Sequence, residues 1–327
     1  MRRSPQRSAQ QPLFEALHLG ILRGRGQAPA EKDTSMPGLS LIKILGNVSF
    51  ASKRLKLPTA ASWKQPSGDP DEKQYKDGIG KENAVAVPQL IPPWFFPQNN
   101  HKYHQDSCDK VGKQFKDFHD AILDAVMFAH NMWKLQAKFK DLKVMAVCAI
   151  GTPGCLDGPE LESLIKTAPS VAAMTGNFAK YRDAVAKGVS KAFKNWQGQV
   201  TVPGLPWYPA FAAFPGPMAP PMPNVPTPLI ACVSAKMTDI MMPNTMKSEM
   251  INALGSGNKD PDKDKQHEAL FEAIATVLAM AFTMWLPSQQ VMLVMGKGPI
   301  PTFAPPYVPV GPVVAGDNIP VPGHLMA

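Results

Sequence analysis

Charge is scarce in this 327-residue chain, where Asp, Glu, Lys and Arg together make up 18% against about a quarter in an average globular protein. The shortage is concentrated in places. Residues 195–235 carry no charged side chain, and neither do residues 298–316. Cysteine is scarce too. Cys108, Cys148, Cys155 and Cys232 form no CxxC pair and no regular spacing, which argues against a disulfide scaffold or a zinc ribbon and makes reduced thiols the expectation. A secretory leader is also missing from the reading: the apolar stretch Leu13 to Leu22 is broken by Glu15, His18 and Gly20 and lacks a small-residue cleavage site. Synthesis in the cytoplasm without Sec export follows as an expectation.

Catalytic and cofactor patterns are equally thin. His101-x-x-His104-x-x-x-Cys108 has metal-ligand types at usable spacing, but no second ligand pair follows, so it reads as a polar helix entry. Asp260-x-Asp262-x-Asp264 opens like a calcium loop, yet Lys265 stands where glycine is required and Phe271 where the bidentate glutamate is required. Gly255-Ser256-Gly257 lacks the preceding strand and the following Lys-Ser/Thr of a phosphate loop. Cys148 and His130 could form a thiolate pair only if His130 were not a packing residue. No enzyme activity, metal or cofactor is expected. The net charge of +8 is spread over the chain beside acids, so nucleic acid is not an expected partner; Arg2, Arg3 and Arg7 read as a solvated arm.

What is present is a substantial apolar content, 44% of residues, with 35 prolines, roughly twice the average share. Three windows of sixteen residues align without gaps: Phe118 to Trp133, Tyr181 to Trp196 and Leu270 to Trp285. Each has an acid third (Asp120, Asp183, Glu272), alanine fourth (Ala121, Ala184, Ala273), Ile or Val fifth (Ile122, Val185, Ile274), alanine twelfth (Ala129, Ala192, Ala281) and tryptophan last. Positions one, five, eight or nine, twelve and sixteen share one helical face. Trp133, Trp196 and Trp285 should therefore be buried where the three helices meet, with the twelfth-position alanines allowing close approach. His130 occupies the place of Phe193 and Phe282, which makes it a packing residue.

After each tryptophan comes a short β-prone run (Lys143 to Val147, Gln199 to Val202, Gln290 to Val294) and then a proline-glycine turn. The fold class expected is α+β, mainly helical, with three divergent helix-Trp-short strand-Pro/Gly units joined by ordered proline-rich extended segments. The organisation is a basic extension at 1–35, with Met36 opening a more ordinary-looking start, and an irregular arm at 36–110. Unit one covers 111–166, unit two with its Pro-aromatic segment 167–228, and unit three with a C-terminal proline-rich segment 229–327. Ser163 to Gly176 reads as a short helix interrupted at Pro169, and Asn258 to Gln266 as a charged surface loop.

The uncharged segments carry Trp, Tyr, Phe and Met where a solvated linker would carry charge or serine. Trp207, Tyr208, Phe211, Phe214, Phe303 and Tyr307 are accordingly candidates for contact with a neighbouring subunit, the alternative being that the chain's own body covers them. Methionines gathered around unit three fill irregular gaps or adaptable contacts. Ala269 to Leu286 contains a single charge, Glu272, and is near the minimum length for a membrane span. A buried core helix is the main expectation for it, and membrane insertion is the alternative.

The run Pro223-Asn224-Val225-Pro226-Thr227-Pro228-Leu229 and the closing Gly311-Pro312-Val313-Val314-Ala315-Gly316-Asp317-Asn318-Ile319-Pro320 resemble the style of tailed-phage virion proteins and of phage-tail-like contractile injection particles. The resemblance implies a non-enzymatic, proline-rich subunit that assembles with its own copies and with other subunits into such a particle.

Overall fold

The computed structural model describes residues 39, 42–52, 102–212, 215–260, 262, 265–301 and 312–325, all within one compact unit, Pro37–Ala327. The architecture is α+β and mainly helical. Its three long helices are α2 (Lys102–Gln136), α4 (Gly176–Gly198) and α9 (Gln266–Ser288), and each contains one of the sixteen-residue windows. The three run in the same direction. Their first window residues (Phe118, Tyr181, Leu270) line one pocket, and their last (Trp133, Trp196, Trp285) meet ring against ring.

Three shorter helices occupy the grooves between them. Helix α1 (Ile42–Ser52) lies against α2 and α9, α3 (Leu161–Lys166) against α2 and α4, and α7 (Pro243–Ala253) against α4 and α9. Pro243 begins α7, where its missing N–H costs nothing and its fixed φ suits the first turn. Small residues set the approach distances. A Cβ placed on Gly188 would come within 2.6 Å of Met250 Cγ and 2.7 Å of the Met250 backbone nitrogen, so α7 rests directly on the α4 backbone. Gly46 of α1 sits in the same way on Leu123 and His119 of α2. Ser49 Oγ donates to the Ala273 carbonyl at 3.0 Å, and Lys43 pairs with Asp124 at 2.9 Å. The reading of 36–110 as an irregular arm is corrected at its two ends, which form α1 and the first turns of α2; residues 53–101 lie outside the described residues. The apolar residues of IKILGNVSFAS do not mark its buried face: Ile44 and Val48 are exposed, while Gly46 and Ser49 share the buried face with Ile42 and Phe50.

Beyond the tryptophans the chain turns to strands: β1 (Lys138–Phe139), β2 (Lys143–Met145), β3 (Cys148–Gly151), β4 (Leu156–Asp157), β5 (Val200–Pro206), β6 (Met218–Pro223), β7 (Thr227–Pro228), β8 (Val233–Ser234), β9 (Gln290–Val291), β10 (Met295–Pro299) and β11 (Gly316–Ile319). Seven of them form one antiparallel sheet in the order β6-β10-β11-β2-β3-β5-β8, while β1 pairs with β4 and β7 with β9. Val144, Ala149, Val200, Val202, Leu205 and Ala219 point into the core; Val200 and Val202 follow the two-residue period, and the step to Leu205 falls where the β3–β5 register shifts. Prolines 220 and 221 fall on the edge strand β6, where a missing donor is tolerated. Of the expected strand Gln290 to Val294 only β9 forms, with Leu293 beyond it in a left-handed conformation (φ 61°), and Gly296 to Pro299, expected as a turn, belong to β10. Four short helices complete the described chain, with α5 (Pro209–Ala212), α6 (Met237–Met241) and α8 (Ser256–Lys259) joined by a single 3-10 turn at Leu229–Ala231. Helix α3 ends at Lys166, before Pro169, and Asn258 and Lys259 of the expected surface loop belong to α8.

Gly188→Ala is expected to destabilise the protein by roughly 1–3 kcal/mol through overpacking against α7, although alanine is the better helix former by about 1 kcal/mol. Gly198→Ala, at a position with nothing within 4 Å, should be neutral or stabilising. Urea denaturation of both variants checks the pair.

Candidate functional site

The space between the three long helices is filled by two stacked layers of rings. Trp133, Trp196 and Trp285 form a nearly equilateral triangle, with centroid separations of 6.2, 6.1 and 5.9 Å. One turn earlier His130, Phe193 and Phe282 form a second triangle of 6.2, 5.9 and 5.6 Å. The layers interlock edge to face, as in His130–Trp285 at 4.5 Å and Trp133–Phe193 at 4.8 Å; such geometry adds about 0.5–1.5 kcal/mol per pair to the area buried. Ala129, Ala192 and Ala281 are buried, as are all three tryptophans. The third-position acids each hold a cation on the outside: Asp120 with Lys116, Asp183 with Arg182 and Glu272 with Lys247.

Two indole N–H groups are satisfied. Trp133 Nε1 donates to Gln197 Oε1 at 2.8 Å and Trp285 Nε1 to Gln289 Oε1 at 3.1 Å. Trp196 Nε1 and both ring nitrogens of His130 find no partner among the described residues. Complete burial, with Lys134 nearby, pushes the His130 pKa down to about 3, so the imidazole is a neutral ring in an aromatic box. His324 is another buried histidine, pushed down by burial to about 4; its Nδ1 accepts the Phe139 N–H at 2.8 Å.

At the other end of the axis the layers stop and a pocket of about 180 Å³ opens. Phe115, Phe118, Phe178, Tyr181 and Leu270 form its walls, and the amide side chains of Gln114 and Asn177 lie at its edge. These residues precede or begin the aligned windows. Extending the alignment four residues backwards pairs Gln114, Asn177 and Gln266, then Phe115, Phe178 and His267, a signal the sixteen-residue window cut off. His267 departs from the pattern and does not line the pocket. Asp262 holds it, with its oxygen 2.6 Å from His267 Nδ1 and 2.7 Å from the His267 backbone nitrogen.

The contact candidates divide. Trp207 and Phe211 are buried in the chain's own core, which corrects their assignment to a subunit contact. Trp207 lies over Gly296, and its Nε1 donates to the Met222 carbonyl at 3.0 Å. Tyr208 is 45% exposed. Phe214, Phe303 and Tyr307 lie outside the described residues, as do His101 and the side chains of His104 and Cys108. Among the described residues no group of three His, Cys, Asp or Glu side chains is gathered to hold a metal. Burial pushes the Cys155 and Cys232 thiols up to about 11 and about 12, far from the range of a nucleophilic thiolate. Helix α9 is long and apolar enough to cross a membrane, but two thirds of its most apolar window is buried inside the protein. No protein-family model, curated protein or solved structure matches the chain.

His130→Phe restores the residue type of the other two windows and removes two unpartnered nitrogens, each of which costs about 1–3 kcal/mol when buried. The native-state pKa lies below the ordinary value of 6.5, so the unfolded chain binds the extra proton and the wild type loses stability as pH falls below about 6. Relative to wild type, His130→Phe should gain about 1.4 kcal/mol for each pH unit below that point. His324 titrates in the same direction but is common to both proteins, so the difference isolates His130. Denaturation curves between pH 7 and pH 4 measure it; a difference that does not change with pH contradicts the buried neutral imidazole.

Proposed function

We propose that the chain is a non-enzymatic structural subunit of a large multimeric particle of the phage-tail-like kind, made of three quasi-equivalent units set about a pseudo-threefold axis. Each unit supplies one long helix carrying the tryptophan and the strands that follow, and the short helices α1, α3 and α7 fill the grooves between the long ones. Fusing the three in one chain closes the axis at the tryptophan end, and the strand side offers one surface for contacts with other subunits.

One observation carries the assembly reading. Met145, Val147, Ile150, Tyr208, Met218, Val233, Leu293 and Val314 are exposed apolar side chains on or beside the strands. Three non-glycine residues in the turns among them, Ala146, Leu293 and Ala315, are held at φ 50°, 61° and 53°. Left-handed backbone at such residues costs roughly 1–2 kcal/mol each and clusters where a surface has a task. Apolar side chains exposed along the strands offer a partner a surface to cover. Membrane insertion of α9 ranks second, because the helix would have to leave both aromatic layers to reach lipid.

The isolated chain is expected to self-associate with rising concentration, as read by size exclusion with light scattering, and Met145→Lys with Val147→Lys should shift it towards monomer without a large loss of thermal stability. A monodisperse monomer that resists proteolysis throughout would overturn the assembly reading. Sheath, tube or capsid genes beside its own are the genomic setting expected of the phage-like class.

A further inference from the structure

The two ends of the helix axis differ. At the tryptophan end large rings fill the axis completely, whereas at the other end Phe115, Phe118, Phe178, Tyr181 and Leu270 surround a pocket of about 180 Å³. The vacancy has a structural cause. Helices α2 and α4 each contribute a phenylalanine one turn before the window, while the third helix offers His267, which Asp262 holds at 2.6 Å. Leu270 is then the one α9 residue on the pocket wall.

Size decides what could enter. An apolar cavity of about 150 Å³ takes one benzene ring, whereas pockets for complete metabolites and cofactors run from roughly 300 to 1,000 Å³. A single ring buried here would bind only weakly on its own, so useful affinity must come from contacts outside the pocket. Aromatic anchors seated in pockets and surrounded by polar contacts are how polypeptide partners achieve this. The edge suits such a partner. Gln114 and Asn177 are exposed and can each both donate to and accept from a peptide backbone. Phe178, 46% exposed, extends the apolar wall outwards with its ring 5.8 Å from Phe118.

We infer that this end of the axis takes one aromatic side chain of a partner polypeptide, its ring among Phe118, Tyr181 and Leu270 and its backbone amide held by Gln114 or Asn177. The partner is another subunit of the particle, which rests on the assembly reading above. The pocket's own chemistry can be tested without it.

The probe is N-acetyl-phenylalaninamide added to the full chain, with the Leu270 methyl and Tyr181 ring signals followed by NMR. Saturable shifts at millimolar probe are expected, with none from N-acetyl-glycinamide. Leu270→Phe should fill the space and weaken the probe by at least about tenfold, the scale of losing an anchoring contact. Phe178→Ala removes an exposed wall without touching the core and should weaken it similarly, which decides the matter if Leu270→Phe fails to fold. Absence of shifts overturns the inference, including the case in which a segment of the chain itself already fills the pocket. Shifts with toluene but none with the amide probe also overturn it, because the site would then admit a free ring and exclude a peptide side chain. Self-association measured by light scattering does not depend on either outcome, so failure here is distinguishable from failure of the assembly reading.

Discussion

Three indole rings meeting on one axis are the contact on which the rest of the chain depends. Each tryptophan closes the apolar stripe of its own helix, and none can be buried without the other two. A tryptophan hides roughly 150–250 Å², worth on the order of 4–6 kcal/mol of gross hydrophobic free energy at 25 cal/mol per Å². That gain is shared by helices separated by up to 152 residues in sequence, Trp133 to Trp285. Closing the triangle therefore orders loops that have little reason of their own to be ordered.

The strands follow from the same constraint. Six residues beyond each tryptophan stands a buried apolar side chain, Phe139, Val202 and Val291, each in the first strand to leave its helix. The chain must turn under the aromatic layer, and backbone groups released from the helices are paired in strands. Gln197 and Gln289 then fix two of the indoles by accepting their N–H groups. At the opposite end no ring of the described residues fills the axis, and the same three helices frame a pocket. One geometry thus produces both a closed core and an open site.

Much of the interior was legible in the sequence. The spacing of Ala129, Ala192 and Ala281 against the three tryptophans identified one face of each helix, and His130 was readable as a packing residue because Phe193 and Phe282 hold its place. Helix α1 was not legible, since it exposes the apolar Ile44 and Val48 and buries Gly46 and Ser49, which blurs its stripe. Trp207 and Phe211 were misread for a different reason: an uncharged proline-aromatic stretch shows that something covers it, but not whether the cover is the same chain. The pocket residues Phe115 and Phe178 lay one turn outside the aligned windows, and the exception at His267, which leaves the space open, depends on a contact with Asp262 that no periodicity encodes.

Native-state hydrogen exchange at Ala129, Ala192 and Ala281 tests the central claim most directly, because these amides sit one turn before the tryptophan triangle on three different helices. If the triangle is a single cooperative unit, all three should exchange only through global unfolding, with opening free energies equal to one another and to the denaturant value within about 0.5 kcal/mol. One helix exchanging through a markedly lower opening free energy, while the other two retain full protection, would contradict it.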